Sequence, residues 1–175
     1  MRLRNTEYAY GQIARLLHWC SVAALLAAVV WGTEAAAHSD DKAVLGQHVA
    51  VGLLLLALML ARFAWRISNL NPLLSYRLAA WHKRGAVSVH WLIYAAVVTQ
   101  CLIGIAQVLV AEQPVMLFEQ VPLPLLESAS MEVRERLNDV HRAISELIYI
   151  VIALHVAGAI YHQLFGVVDE PAEPL

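Results

Sequence analysis

Asn138-Asp139-Val140-His141, followed by a long apolar run through His155 to His162, decides how this chain folds. His141 and His155 stand fourteen positions apart. At about 1.5 Å of rise per residue that is ~21 Å along a helix, most of the ~30 Å hydrocarbon core of a bilayer. Fourteen residues are also nearly four turns, so both imidazoles leave the helix on one face. Histidine in lipid is costly unless something holds it. Two on one face, one per leaflet, mark that face as the lining of an interior site.

The rest of the chain agrees with a membrane setting. Of its 175 residues 60% are hydrophobic and only 15% charged, against about 25% charged in a soluble domain. Mean hydropathy is +0.60. The net charge of −2 argues against a nucleic-acid partner. Cys20 and Cys101 both lie in apolar segments and read as small buried hydrophobes, with no disulfide framework.

Four apolar stretches are long enough to span: about 13–32, 47–66, 87–110 and 140–165. With no internal repeat or linker, residues 1–175 read as one integral membrane domain. The expected fold class is all-α, a four-helix transmembrane bundle. The first stretch contains Ala35-Ala36-Ala37, which imitates a cleavage site, but its length and the histidine inside it predict a retained anchor rather than a signal peptide.

Charge sets the expected orientation. Arg2, Arg4 and Arg15 precede or open the first segment; Arg62, Arg66, Arg77, Lys83 and Arg84 cluster around the second connection, which has no acid. The first connection carries Glu34, Asp40 and Asp41 against Lys42. The third carries Glu112, Glu119, Glu127, Glu132 and Glu135 against Arg134 and Arg136. The positive-inside rule then puts both termini and the 67–86 loop in the cytoplasm. The 111–138 loop, with Pro114, Pro122 and Pro124 and an expected short helix over 130–137, faces the periplasm.

On this topology the histidines sort by depth. His18 lies near the cytoplasmic end of the first segment and His155 near that of the fourth; His48 and His141 both open their segments at the periplasmic end. The depths pair His18 with His155 and His48 with His141. Each pair takes one residue from the fourth segment and one from another, as bis-imidazole haem ligation in a bundle core requires. Zinc sites instead gather three or four ligands at one depth. Two haems are therefore expected. Gly52 and Gly158, each about one turn beyond a candidate ligand, would let a porphyrin approach the backbone.

Arg62 follows His48 by fourteen residues, and Arg66 lies one turn on. Both read as propionate partners or as snorkelling positive-inside residues. His90 reads as a hydrogen-bond donor to a propionate or substrate, or as bland packing. His162, seven after His155, suits a quinone carbonyl near a haem edge, or is an interfacial histidine beside Tyr161. His38 and His82 read as solvated.

The sequence resembles the bacterial cytochrome b561 family of small, four-helix, di-haem b membrane proteins, over nearly its whole length. The resemblance is carried by Leu17-His18-Trp19, by Gly46-Gln47-His48 with Gly52 and Arg62, and by His90-Trp91-Leu92-Ile93-Tyr94 with Gly104. Val140-His141, Leu154-His155 and His162 complete it. It implies His18 and His155 as axial ligands of a cytoplasmic-side haem, and His48 and His141 of a periplasmic-side haem. It further implies electron exchange with ubiquinone near the cytoplasmic haem, with Arg77 and His162 serving the quinone, and superoxide as a donor on the other side. The acidic third loop departs from a superoxide-attracting surface, although Arg134, Arg136, Arg142 and Lys42 offer a local basic patch.

The expected function is electron transfer across the membrane from a periplasmic donor to ubiquinone. The alternative is a haem-bearing membrane anchor, an electron-transfer subunit of a larger respiratory complex that docks its partner through 111–138. A non-redox proton relay built on the same histidines is the third reading, and a visible spectrum separates it from both.

Overall fold

The computed structural model describes residues 2–38, 41–70, 72, 80–126 and 129–165. Its helices are α1 (Gln12–Ala37), α2 (Lys42–Ser68), α3 (Ala80–Leu109) and α4 (Met131–Phe165). All four are long and apolar enough to cross a membrane. Their outer faces carry Leu26, Leu54, Leu60, Leu102, Ile150 and Ile160, each more than half exposed. Such a belt is unfavourable in water and suits acyl chains. The protein is a multi-pass helical membrane protein.

Local chemistry sets where the helices start and stop. The Asp41 carboxylate accepts from the backbone N–H of Ala43 (3.0 Å) and Val44 (3.2 Å), capping α2. At the end of α3, the carbonyls of Leu109 and Val110 accept from the N–H groups of Leu126 (2.9 Å) and Ala129 (3.4 Å), so the return loop satisfies groups that a helix end leaves open. The segment before α1 folds back: Gln12 N–H donates to the Arg2 carbonyl at 3.2 Å, and Asn5 Nδ2 donates to the Leu70 carbonyl at 2.8 Å. This strap ties the start of α1 to the end of α2.

The bundle is two helical hairpins, α1–α2 and α3–α4, joined along an α2–α3 seam. Among the described residues no Cα of α4 comes within 8 Å of one in α1 or α2. Side chains meet in the middle instead. Ala24, Leu55, Met59, Tyr94, Ala96, Val97 and Ile148 form one buried cluster drawing on all four helices. Ile148 is seven residues from both His141 and His155, so the cluster is an apolar septum between the two ends of the bundle.

The observed helices overrun the predicted stretches, because hydropathy sees only the part in lipid. Capping by Asp41 starts α2 at Lys42 rather than 47. The largest correction concerns 111–138. The expected short helix over 130–137 is continuous with the fourth span, giving a single 35-residue α4. Polar residues there keep helical backbone, and Glu132 and Arg136 pair across one turn at 2.8 Å. What is left of the loop holds a small hairpin, β1 (Met116–Leu117) and β2 (Val121–Pro122), in register Met116 with Pro122 and Leu117 with Val121. Its turn closes through Gln120 N–H to the Leu117 carbonyl at 3.0 Å, with Phe118 at φ 49° and Glu119 at φ 60°. A bulky residue held there stores about 1–3 kcal/mol. The hairpin rests on α2 at Gly46, where any Cβ would overlap the Met116 carbonyl, and Lys42 Nζ donates to Gln113 Oε1 at 2.9 Å. This side is the hairpin end of the bundle; the opposite side, where residues 2–11 fold back, is the terminal end.

Candidate haem centres

At the hairpin end, α2 brings His48 and α4 brings His141 to a ring-centroid separation of 6.2 Å, with planes 78° apart. His48 Nδ1 lies 3.0 Å from the Ala28 carbonyl of α1. A carbonyl only accepts, so Nδ1 carries the proton and Nε2 keeps its lone pair. A cavity of about 500 Å³ surrounds the pair and reaches all four helices. Small residues make room for the rings: a Cβ built on Gly32 would stand 2.9 Å from His48 Cε1, and one on Gly104 would stand 3.4 Å from His141 Cε1. Gly52 also lines the cavity, and a Cβ there meets nothing within 4 Å.

At the terminal end, His18 of α1 and His155 of α4 stand 6.4 Å apart with planes at 69°. A second cavity, about 330 Å³, opens around them. Its polar wall holds Arg15, Arg62, Trp65 and Arg66, and the strap adds Asn5 and Tyr10. The Arg62 guanidinium lies 5.5 Å from the Tyr94 ring centroid, and that of Arg66 lies 5.7 Å from the Trp91 centroid. Both are stacked on aromatic faces. Among the described residues no carboxylate lies within ion-pair distance of Arg15, Arg62 or Arg66. Trp65 Nε1 is buried with no acceptor among the described residues.

Do these residues fit a haem? Two imidazole–metal bonds of about 2.0–2.1 Å, plus the short reach from each nitrogen to its ring centre, total about 6 Å. Both pairs match that spacing. His90 of α3 does not: its centroid lies 5.0 Å from that of His155, leaving no room for a metal, and its Nδ1–H donates to the Ala86 carbonyl at 2.6 Å. Among the described residues no cluster of three or more His, Cys, Asp or Glu could hold a bare metal ion. Each pair also joins α4 to a helix whose backbone it does not approach among the described residues, so a planar group between the rings would fill a space the chain leaves. Three guanidiniums and an indole N–H without acids suit the carboxylates at a porphyrin edge. The donor set fits two bis-histidine haems.

The expected site residues thus divide. His18, His48, His141 and His155 come together as the two anticipated pairs. Arg62, Arg66 and His90 reach the terminal cavity and Gly52 the hairpin-end one. A Cβ on Gly158 meets nothing within 4 Å. Of His162 the structure describes only the backbone, in the last turns of α4, and Arg77 lies outside the described residues. Sequence reasoning missed Gly32, although it follows His18 by fourteen residues, the spacing that singled out the ligands. It also missed the strap and Trp65, which only the folded chain brings to the cavity.

Comparison with known proteins identifies a family. No curated protein matches the chain. The family model for prokaryotic cytochrome b561 matches residues 9–169. The chain therefore belongs to the prokaryotic cytochrome b561 family, b-type membrane cytochromes of electron transfer.

Proposed function

We propose that this cytochrome is a transmembrane electron conduit that holds two b haems and serves ubiquinone at its terminal end and an electron donor at its hairpin end. The observation that carries the reading is the repeat of one arrangement at both ends: a histidine of α4 facing one of another helix, at 6.2 Å and again at 6.4 Å. When bound, haem b would supply a one-electron iron couple, and these histidines would hold it.

The chain's own residues do the rest. Ala28 fixes the tautomer of His48, so its Nε2 is ready as a ligand. Arg15, Arg62 and Arg66 supply positive charge for propionates at the terminal end, and the Trp65 N–H a further donor. The septum of Leu55, Met59, Val97 and Ile148 keeps water from joining the two cavities. For the quinone, His162 and Arg77 are the proposed contacts, with His90 beside His155 as a third; His162 is the candidate proton donor. The positive-inside rule places the terminal end, with both termini, in the cytoplasm of a bacterial inner membrane.

Two donors are consistent with the hairpin end. Superoxide is the small-molecule donor that the family resemblance implies. The second reading, an anchor that takes electrons from a partner protein, is favoured by Phe118, 66% exposed and held at positive φ on the hairpin that rests beside His48. Purified protein reducing a ubiquinone analogue with superoxide alone supports the first; activity only with an added partner supports the second.

The assignment of ligands is tested by His48→Ala and His155→Ala made separately, with haem counted per polypeptide. Each variant should keep one haem and lose the other. Two haems in either variant would refute the pairing.

A further inference from the structure

Among the described residues, two buried polar atoms of the hairpin-end cavity have no hydrogen-bond partner, Gln100 Oε1 and His141 Nδ1. Each is costly to leave unpaired away from water. Their neighbours fix what each can do. Gln100 Nε2 donates to Ser145 Oγ at 2.6 Å, and Ser145 Oγ donates to the His141 carbonyl at 3.0 Å. The serine hydroxyl has one proton and spends it on that carbonyl, so it accepts from Gln100. This sets the amide orientation and leaves Oε1 as a free acceptor.

The imidazole is the other half. A ligand of iron through Nε2 carries its proton on Nδ1, which makes that atom a donor. Nδ1 is on the ring edge turned towards α3: a Cβ built on Gly104 would be 3.9 Å from it. Gln100 is one helical turn from Gly104, on the same face.

We infer that Gln100 is a positioning residue for the hairpin-end centre: the two atoms are not bonded to each other in the structure, and with the group bound the free Oε1 would take the Nδ1–H of His141, holding the ring's tautomer and orientation and raising its basicity as a ligand. The inference rests on the two-haem reading above. It gives the hairpin-end centre an outer hydrogen bond on each ligand, Ala28 to His48 and Gln100 to His141, the support that metal-bound histidines generally need. A more basic axial ligand favours ferric iron, so Gln100 lowers the potential of this centre and not of the other.

The test is a spectroelectrochemical titration of the purified holoprotein, read with electron paramagnetic resonance of the two low-spin ferric signals. Gln100→Met fills the same space without the acceptor, and should shift the ferric-to-ferrous ratio of one haem about tenfold towards ferrous, an upward move of about 59 mV for one electron. Gln100→Glu, a stronger acceptor, should move the same haem the other way. The second haem should not move in either variant, and a merely structural residue would not give opposite signs. Wild-type potentials in both variants, or equal shifts of both haems, would overturn the inference. His141→Ala separates the levels: should it lose one haem while the Gln100 variants stay at wild-type potentials, only the role of Gln100 falls; should it lose none, the two-haem reading falls and this inference with it.

Discussion

Replacing Gly32 by alanine should damage one haem centre while leaving the fold intact. The added Cβ would stand 2.9 Å from His48 Cε1 and 3.1 Å from Nδ1, whereas carbon contacts are comfortable from about 3.5 Å. Either helix or ring must give by about 0.6 Å. The ring is poorly placed to give, because Nδ1–H is held at 3.0 Å by Ala28, one turn away on the same helix as Gly32. A retreat of that size stretches the bond to about 3.6 Å, beyond hydrogen-bonding range. A buried N–H left unpaired costs about 1–3 kcal/mol. Against this, alanine is about 1 kcal/mol better than glycine inside a helix, so overall stability should change little. Affinity for the hairpin-end haem should fall by roughly 5- to 150-fold, the same energy expressed as binding. Haem per polypeptide, measured by pyridine haemochromogen at limiting haem, should drop towards one, with the terminal-end signal unchanged. Two haems with wild-type spectra and affinity would refute the steric reasoning.

Other positions give contrasting outcomes. Gly52→Ala meets nothing of the chain within 4 Å, so it should raise the melting temperature of haem-free protein, by the helix-propensity gain of about 1 kcal/mol, yet lower haem retention if a porphyrin lies against α2. Gly46→Ala overlaps the Met116 carbonyl and should detach the hairpin, seen as faster proteolysis within 111–126 with both haem signals kept. Arg62→Met removes one of the three guanidiniums that line the terminal cavity. It should raise the ferric share of that haem alone in a redox titration, because lost positive charge disfavours the added electron. Asn5→Ala removes the donor to the Leu70 carbonyl and should expose residues 2–11 to protease at a cost of about 1 kcal/mol.

The parts of this protein set by long-range periodicity were readable in the sequence. Lipid imposes helices, and a fourteen-residue interval keeps two side chains on one face, so His141 and His155 announced both sites and their partners followed by depth. Gly32 obeys the same interval and was readable too. The remainder depended on features without a periodic signature. The polar first turns of α4 are helical because of local pairing such as Glu132–Arg136, which hydropathy does not register. The hairpin has two-residue strands and a turn of Phe118 and Glu119 instead of the glycine or asparagine that usually signals positive φ. Gln100 carries no periodic mark in the sequence; only the contact of its amide with Ser145 shows an acceptor left over.

Among the described residues the backbone of α4 stays away from the α1–α2 hairpin and meets it only through side chains such as Ile148, which makes prosthetic-group supply a matter of protein survival. Every proposed ligand pair spans that gap, so the proposed haems would act as rivets as well as wires. Each binds the assembled bundle and not the loose chain, so mass action stabilises the fold by about 2.7 kcal/mol at a hundredfold excess over its dissociation constant. A cell starved of haem should therefore accumulate less of the polypeptide itself, through proteolysis of an unfastened bundle, and not merely a colourless version of it.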